Sequence, residues 1–219
     1  MSEHDLFEIM RTTRSMRRLK PDKVPEALIR QVLEAGICAA NGGNMQSWRF
    51  MVVEDPAVKQ NVGAYYRRAW HEQAVPRYRA GTLAPGVDPA RFQRFLAAAE
   101  YLAEHIHEAP VWIVPCLIPP SEIRMRVTPT GVFPRLSGAS IYPAVQNMLL
   151  AARALGLGAT LTALHLLFEK ESEAALGLPP DAHSYAILPI GYPLGRFGPV
   201  ARMPLAEVVY RDRWGQPYA

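Results

Sequence analysis

Hydrophobic positions are densest between Gly138 and Gly158, GASIYPAVQNMLLAARALGLG, the longest apolar segment in the chain, and their spacing predicts one helix. Ile141, Val145, Met148, Leu149, Ala152 and Leu155 line one side, while Tyr142, Leu150, Ala151 and Ala154 fill much of the rest. A helix apolar on both sides has to be covered on both, by a second layer of the chain or by a second copy of it. A membrane span competes at this length. Gln146 and Asn147 at mid-helix, Arg153 beyond them and Pro143 near the start argue against it, and the GLG after Leu155 offers a left-handed glycine stop.

The remaining pattern alternates helices and short strands. Residues 4–13 predict a short amphipathic helix, followed by TRSMRRLKPDKV, a basic and extended connection. Pro25 and Glu26 open a second helix with Leu28, Ile29, Val32, Leu33 and Ile37 on one face, which runs into the loop AANGGNMQS. WRFMVVE (48–54) has a buried-strand pattern, and Asp55–Pro56 is an N-cap and N1 pair for a third helix to about Arg68. Residues 69–87, aromatic, basic and then rich in Gly and Pro, predict an exposed excursion. Asp88–Pro89 repeats the start signal for a helix to about Glu108, and VWIVPCLI (111–118) is a second strand. The stretch 119–137 has no periodicity, and a loop that long in a compact domain is usually functional. Strands ATLTAL (159–164) and SYAILPIGY (184–192) flank a helix around 169–176 that ends at Gly177 and Pro179, and LAEVV near the end reads as strand-like. The result is an α+β architecture with four or five strands among more helices and no internal repeat.

Composition narrows the function classes. With 219 residues, 49% of them hydrophobic, the chain can bury a large core, and residues 1–219 read as a single domain. The net charge of +4 comes from arginines scattered through mixed sequence, which favours small anionic ligands over nucleic acid. Cys38 and Cys116 have no CxxC partner and read as reduced, buried thiols. The N-terminal MSEHDLFEIM carries acids where a signal peptide carries bases, so the expectation is a cytoplasmic protein outside any membrane.

Three clusters can carry chemistry. Arg14, Ser15, Arg17 and Arg18 offer guanidinium forks and a hydroxyl to a phosphate or a polar ring edge, although alone they read more simply as a basic solvated face. Asn41, Gly42, Gly43, Asn44, Gln46 and Trp48 combine glycines, which let backbone approach a ligand, with amides that both donate and accept. This loop lacks GK[ST] and precedes a strand, so it is neither a Walker loop nor a dinucleotide fingerprint. The third cluster, Gly191, Tyr192 and Pro193 with the later Arg202, gains meaning only from what it joins. Glu104 and His107 form an ExxH without the second pair that a di-iron bundle needs. GxSxG is absent, and the histidines are separated singletons, so no metal site is expected.

In this order the clusters resemble the nitroreductase superfamily, through TRSMRRLKPDKVPEALIRQVLEAGICAANGGNMQSWRFMVV, EAPVWIVPCL, GASIYPAVQNMLLAARALGLGATL, ILPIGYPLG and ARMPLAEVVYRDRW. The resemblance implies an α/β sandwich with a mixed, mostly antiparallel sheet of four to five strands flanked by helices. It further implies a homodimer with the long central helix at the interface, and one FMN in each of two interface clefts. Carried over by position, Arg14, Ser15 and Arg17 match the first flavin-binding motif, and Asn41, Asn44 and Gln46 the second, with Ala40–Asn41 standing where the family often has Pro-Ser. Leu161 and Thr162 fall where backbone meets the flavin near N5, and Arg202 matches a late phosphate-binding residue. The implied activity is electron transfer from NADH or NADPH, through FMN, to an electron-poor small-molecule acceptor such as a nitroaromatic or quinone. Sibling chemistries remain alternatives. Flavin-fragmenting members carry an acid where this chain has Ser15, and the Glu-Tyr-Lys lid set of dehalogenating members is not evident here. A non-enzymatic flavin- or nucleotide-binding protein is the other alternative.

Overall fold

The structure, a computed structural model, describes residues 5–81, 88–118 and 132–218, with backbone alone from 132 to 137. Its organising element is strand β2 (Val111–Leu117), buried along its whole length. Alternation along β2 sorts its side chains between two cores: Val111, Ile113 and Leu117 join one, and Trp112, Val114 and Cys116 the other. Helix α2 (Glu26–Ile37) and the long α6 (Val132–Ala154) cover the first face with Ile29, Val32, Ile141, Val145 and Met148. Helices α3 (Pro56–Ala69) and α5 (Pro89–His105) cover the second with Val62, Tyr66, Leu102 and Ala103.

The sheet has five strands in the order β1 (Trp48–Val53), β2, β5 (Leu188–Gly191), β3 (Gly158–Ala159), with β4 (His183–Ser184) also paired to β2. Every pairing among the described residues is antiparallel. The expected strand 184–192 is thus two short strands. β5 pairs with Val111–Ile113 and β4 with Cys116–Leu117, so Pro115, which lacks an N–H, stands next to the break between them. The expected strand 159–164 shrinks to Gly158–Ala159 plus a bridge from Thr162 to Ile187, then a 3₁₀ turn, Leu164–Phe168, leads into α7 (Glu169–Ala175).

Local signals for helix ends hold. Asp55 Oδ1 accepts from Ala57 N at 2.8 Å and Asp88 Oδ1 from Ala90 N at 3.0 Å, while Gly156 and Gly177 end their elements at φ of +75° and +70°. Four expectations change. Residues 69–80 are not an exposed excursion: α3 passes through a π turn (Trp70–Ala74) into α4 (Val75–Ala80), with Trp70 and Ala74 buried. LAEVV forms a helical turn, α8 (Leu205–Val208), and no strand. Cys38 is exposed, and only Cys116 is buried, its thiol pushed up to about 12 mainly by desolvation. Ile37 is also exposed, and Gly36 takes its place at the helix contact, where a Cβ would meet the Met148 side chain. The first helix, α1, is Leu6–Thr12. Most of the patternless stretch 119–137 lies outside the described residues, and its last part opens α6.

On α6 the face toward α2 is closed, and Met148 belongs to that closed core. Tyr142, Pro143 and Gln146 on the opposite side are exposed. No helix among the described residues is long and apolar enough to cross a membrane.

Two buried polar groups lock the second core. Lys59 Nζ donates to the carbonyls of Ala109 (2.8 Å) and Pro110 (3.2 Å), tying α3 to the turn before β2. His165 is fully buried, and its Nε2 lies 3.1 Å from Ser184 Oγ. That hydroxyl donates to Glu173 Oε1 (3.2 Å), so Nε2 carries the imidazole proton and donates, and Nδ1 has no partner among the described residues. Desolvation lowers the His165 pKa from 6.5 to about 4. The unfolded chain therefore binds a proton that the folded one refuses between these values. Stability is expected to be full above about pH 6.5 and to fall toward pH 4 by about 3 kcal/mol from this residue. Urea unfolding across that range checks it: His165→Gln should flatten the slope, and an unchanged slope would remove His165 as its origin.

Candidate functional site

The first arginine cluster owes its display to the strand-like segment 16–20. Met16 N donates to Ala159 O (2.9 Å), Lys20 N to Tyr192 O (2.8 Å) and Leu194 N to Arg18 O (3.0 Å), which lays the segment against the ends of β3 and β5. Glycines make this approach possible: a Cβ on Gly158 would stand 2.9 Å from Met16 Cβ, and one on Gly191 3.3 Å from Leu19 Cβ. Met16 points into the protein, while Arg14, Ser15 and Arg18 are exposed. The four residues then part company.

Arg14 and Ser15 line a cleft of about 210 Å³ together with Arg153, Thr160, Leu161 and Arg202. Arg202 reaches it from the C-terminal arm, which is anchored by Val200 N donating to Arg11 O at 2.9 Å. Arg153, in the last turn of α6, was not a candidate in the sequence, where it reads as an ordinary helix-end charge. Its Nε donates to Thr12 Oγ1 (3.0 Å) and its guanidinium sits 4.2 Å above the Phe197 ring, so its charge is held at the cleft. No Asp or Glu among the described residues lines this cleft. Three cations without a counter-charge make it a site for an anion. Thr160 Oγ1, also in the wall, is buried and has no partner among the described residues. A polar group left so is normally satisfied by something bound.

Arg17 faces elsewhere. It lines a second cavity, of about 160 Å³, with Tyr66, Trp70, Tyr78, Phe95, Leu161 and Thr162, and its guanidinium lies 5.8 Å from the Phe95 ring centroid. Desolvation lowers its pKa from the ordinary value, against the smaller effect of nearby tyrosines. Tyr66 OH lies 2.7 Å from Thr162 Oγ1, and burial pushes its pKa up to about 12, so it stays a neutral phenol. Arg18 turns away to stack 4.1 Å over Tyr101.

Leu161 belongs to both cavities and joins them. The Thr162 N–H is committed, donating to Ile187 O (3.1 Å), and its carbonyl already accepts from Ile187 N (2.8 Å). The Leu161 amide makes no such bond among the described residues and is the one available at this position.

The second amide cluster sits apart. Gly43, Asn44 and Gln46 all have left-handed backbone (φ 58°, 52° and 47°), unusual for Gln and costly enough to suggest a functional loop. Asn41 Oδ1 accepts from Gln46 N (2.9 Å), and Gly42 N donates to Ser140 Oγ (3.3 Å), fixing the loop to the first half of α6. Asn41, Asn44 and Gln46 line neither cavity. From Ser140 to Arg153 the helix axis rises roughly 20 Å, so within one chain this loop and the arginine cleft do not share a small ligand.

Comparison with known proteins identifies the family of the fold. The Nitroreductase family model matches residues 10–192. An NADH dehydrogenase of Thermus thermophilus is 32% identical over 199 residues, covering 90% of each chain. An iodotyrosine deiodinase of Thermotoga neapolitana is 28% identical over 211 residues, 94% of this chain and 96% of that protein. A Desulfovibrio desulfuricans protein solved in complex with FMN superposes with a TM-score of 0.66 at 26% identity, covering 97% of this chain and 99% of that one. A family match over most of its length, carried by a five-stranded antiparallel sheet between two helical layers, means that the chain belongs to the nitroreductase family.

Proposed function

We propose that the protein is an FMN-dependent oxidoreductase that moves electrons from NADH or NADPH to an electron-poor small molecule, a nitroaromatic, a quinone or a similar acceptor. The observation that carries this reading is the cleft of Arg14, Arg153 and Arg202, acid-free among the described residues, with the Thr160 hydroxyl, unpaired among them, beside the open Leu161 amide. These residues fit a phosphorylated, polyhydroxylated cofactor: the arginines would hold the phosphate, Ser15 and Thr160 the polyol, and Leu161 the ring edge. Bound FMN supplies transfer of an electron pair between nicotinamide and acceptor. The chain's own residues bind, orient and set charge, and none is assigned as acid or base.

The strained loop of Asn41, Asn44 and Gln46 supports a homodimer. A second copy packed on the exposed side of α6 would bring its loop to this chain's arginine cleft and complete two equivalent sites. Met148 is not part of that surface, since it is buried within one chain; Tyr142 and Gln146 are.

The test is to purify the protein, record its visible spectrum and follow bleaching by NADH and by NADPH without oxygen. Bound flavin, bleaching by a nicotinamide, and parallel double-reciprocal lines with a nitroaromatic or quinone are expected. Protein that takes up no FMN would overturn the reading. The likeness to an iodotyrosine deiodinase supports a second reading, reductive dehalogenation on the same scaffold, and iodide release from 3-iodotyrosine under the same reductant would favour it.

A further inference from the structure

We propose that Glu169, Glu173 and His183 form a binding site for one transition-metal dication of the zinc class, which ties helix α7 to strand β4. None of the three lines either cavity, and nothing in the site depends on the flavoprotein reading. In the sequence His183 is a separated singleton and no metal site is expected. The donors meet only in the fold, where one nitrogen or oxygen of each side chain lies within 4.8 Å of the other two. No other trio of His, Cys, Asp or Glu among the described residues comes together this closely.

Each donor has a local reason for its place. Glu169 and Glu173 stand one turn apart on α7, so their carboxylates share a face of the helix. Like charges so placed repel each other, and no Lys or Arg among the described residues forms an ion pair with either. Glu173, with 13% of its side chain exposed, is held in position: its Oε1 accepts from Ser184 N (2.7 Å) and from Ser184 Oγ (3.2 Å). That leaves its Oε2 free, 3.5 Å from His183 Nδ1. Support of this kind, one oxygen bonded to buried groups and the other uncommitted, is what orients a carboxylate toward a metal.

The 3.5 Å gap sets this pair apart from an ordinary His–Glu contact. His71 Nε2 and His105 Nδ1 approach their glutamates to 2.6 and 2.9 Å, the distances of a hydrogen bond. Two ligands on one tetrahedral zinc, each about 2.0–2.2 Å from the ion, stand roughly 3.3–3.6 Å from one another. Glu169 is exposed at the start of its helix, and rotation of its side chain closes the remaining distance. One imidazole with two carboxylates suits Zn²⁺ and its transition-metal neighbours, whereas Mg²⁺ and Ca²⁺ take oxygen ligands. Glu169 and His183 face solvent, so the fourth position is open to water.

Addition of ZnCl₂ to the full chain, first treated with EDTA and dialysed, tests this by calorimetry and by thermal unfolding. Saturable binding of a single Zn²⁺ per chain at micromolar concentration is expected, with a rise in Tm that Mg²⁺ and Ca²⁺ at the same concentration do not give. Glu169→Gln and His183→Gln should each weaken Zn²⁺ by at least about tenfold and remove the rise in Tm, since even the outer partners of a metal ligand are worth about 10- to 100-fold. Both positions are exposed and lie on different elements, which guards against one variant that fails to fold. His71→Gln, which breaks a His–Glu pair of hydrogen-bond length, should leave Zn²⁺ affinity unchanged. Binding only at millimolar Zn²⁺, equal binding of Mg²⁺, or affinity unchanged in both site variants would overturn the site. An equal loss in His71→Gln would overturn it too, by giving the metal to a different pair.

Discussion

Arg14→Ala combined with Arg202→Ala is expected to yield colourless protein, with FMN affinity lowered by roughly 10²- to 10⁴-fold. Among the described residues the arginine cleft contains no acid that would balance these charges, and each charge-assisted contact to a phosphate is worth about 1.5–3 kcal/mol. Losing two removes about 3–6 kcal/mol, which converts to that range of dissociation constants. Arg202→Ala alone should cost about tenfold, because Arg202 is exposed and its Nη1 already donates to Ala201 O (2.9 Å). Arg153 persists in both variants, held by Thr12 and Phe197, so some phosphate affinity should remain. Flavin fluorescence quenching on titrating the flavin-free protein gives the constants. Wild-type affinity in the double variant would mean that the phosphate goes elsewhere.

Trp112→Ala is expected to be the most damaging single truncation of the core. Trp112 is fully buried on the middle strand, and its Nε1–H donates to Ile106 O at 2.9 Å, closing the turn between α5 and β2. Truncating such a side chain costs about 3–5 kcal/mol, a large part of the 5–15 kcal/mol that typically holds a folded domain together. A fall in Tm of about 6–20 °C follows for a chain of this size, and Trp112→Phe should lose less because the ring still fills most of the space. Urea unfolding monitored by circular dichroism supplies the numbers. A loss below about 1 kcal/mol would mean that this second core does not carry the fold.

Much of the architecture was legible because it depends on neighbours in the chain. Asp55–Pro56 and Asp88–Pro89 start helices where expected, since a carboxylate two residues before a free amide caps it whatever the rest of the protein does. Gly156 and Gly177 stop elements for an equally local reason, a left-handed backbone that other residues resist. The apolar run 111–118 predicted a strand, and β2 is one, buried along its whole length. Arg14, Ser15, Leu161 and Arg202 were candidates in the sequence, and the structure brings these four to one cleft.

Other features belong to tertiary structure alone. ATLTAL and SYAILPIGY have strand composition throughout, yet their paired lengths are set by where β2 offers open backbone, and Pro115 next to the break divides the second into β4 and β5. Residues 69–80 look like exposed loop by composition; they are helical because Trp70 and Ala74 find a core against α5. That Arg14 and Arg17, three residues apart, face different cavities follows from the way segment 16–20 crosses Gly158 and Gly191. Arg153 joins the cleft only because α6 ends beside α1. Caps, stops and hydrophobic period are properties of a few consecutive residues, and the sequence by itself determined them. Which arginines share a cleft, and how long each strand is, depend on residues distant in the chain, and only the packed structure decided them.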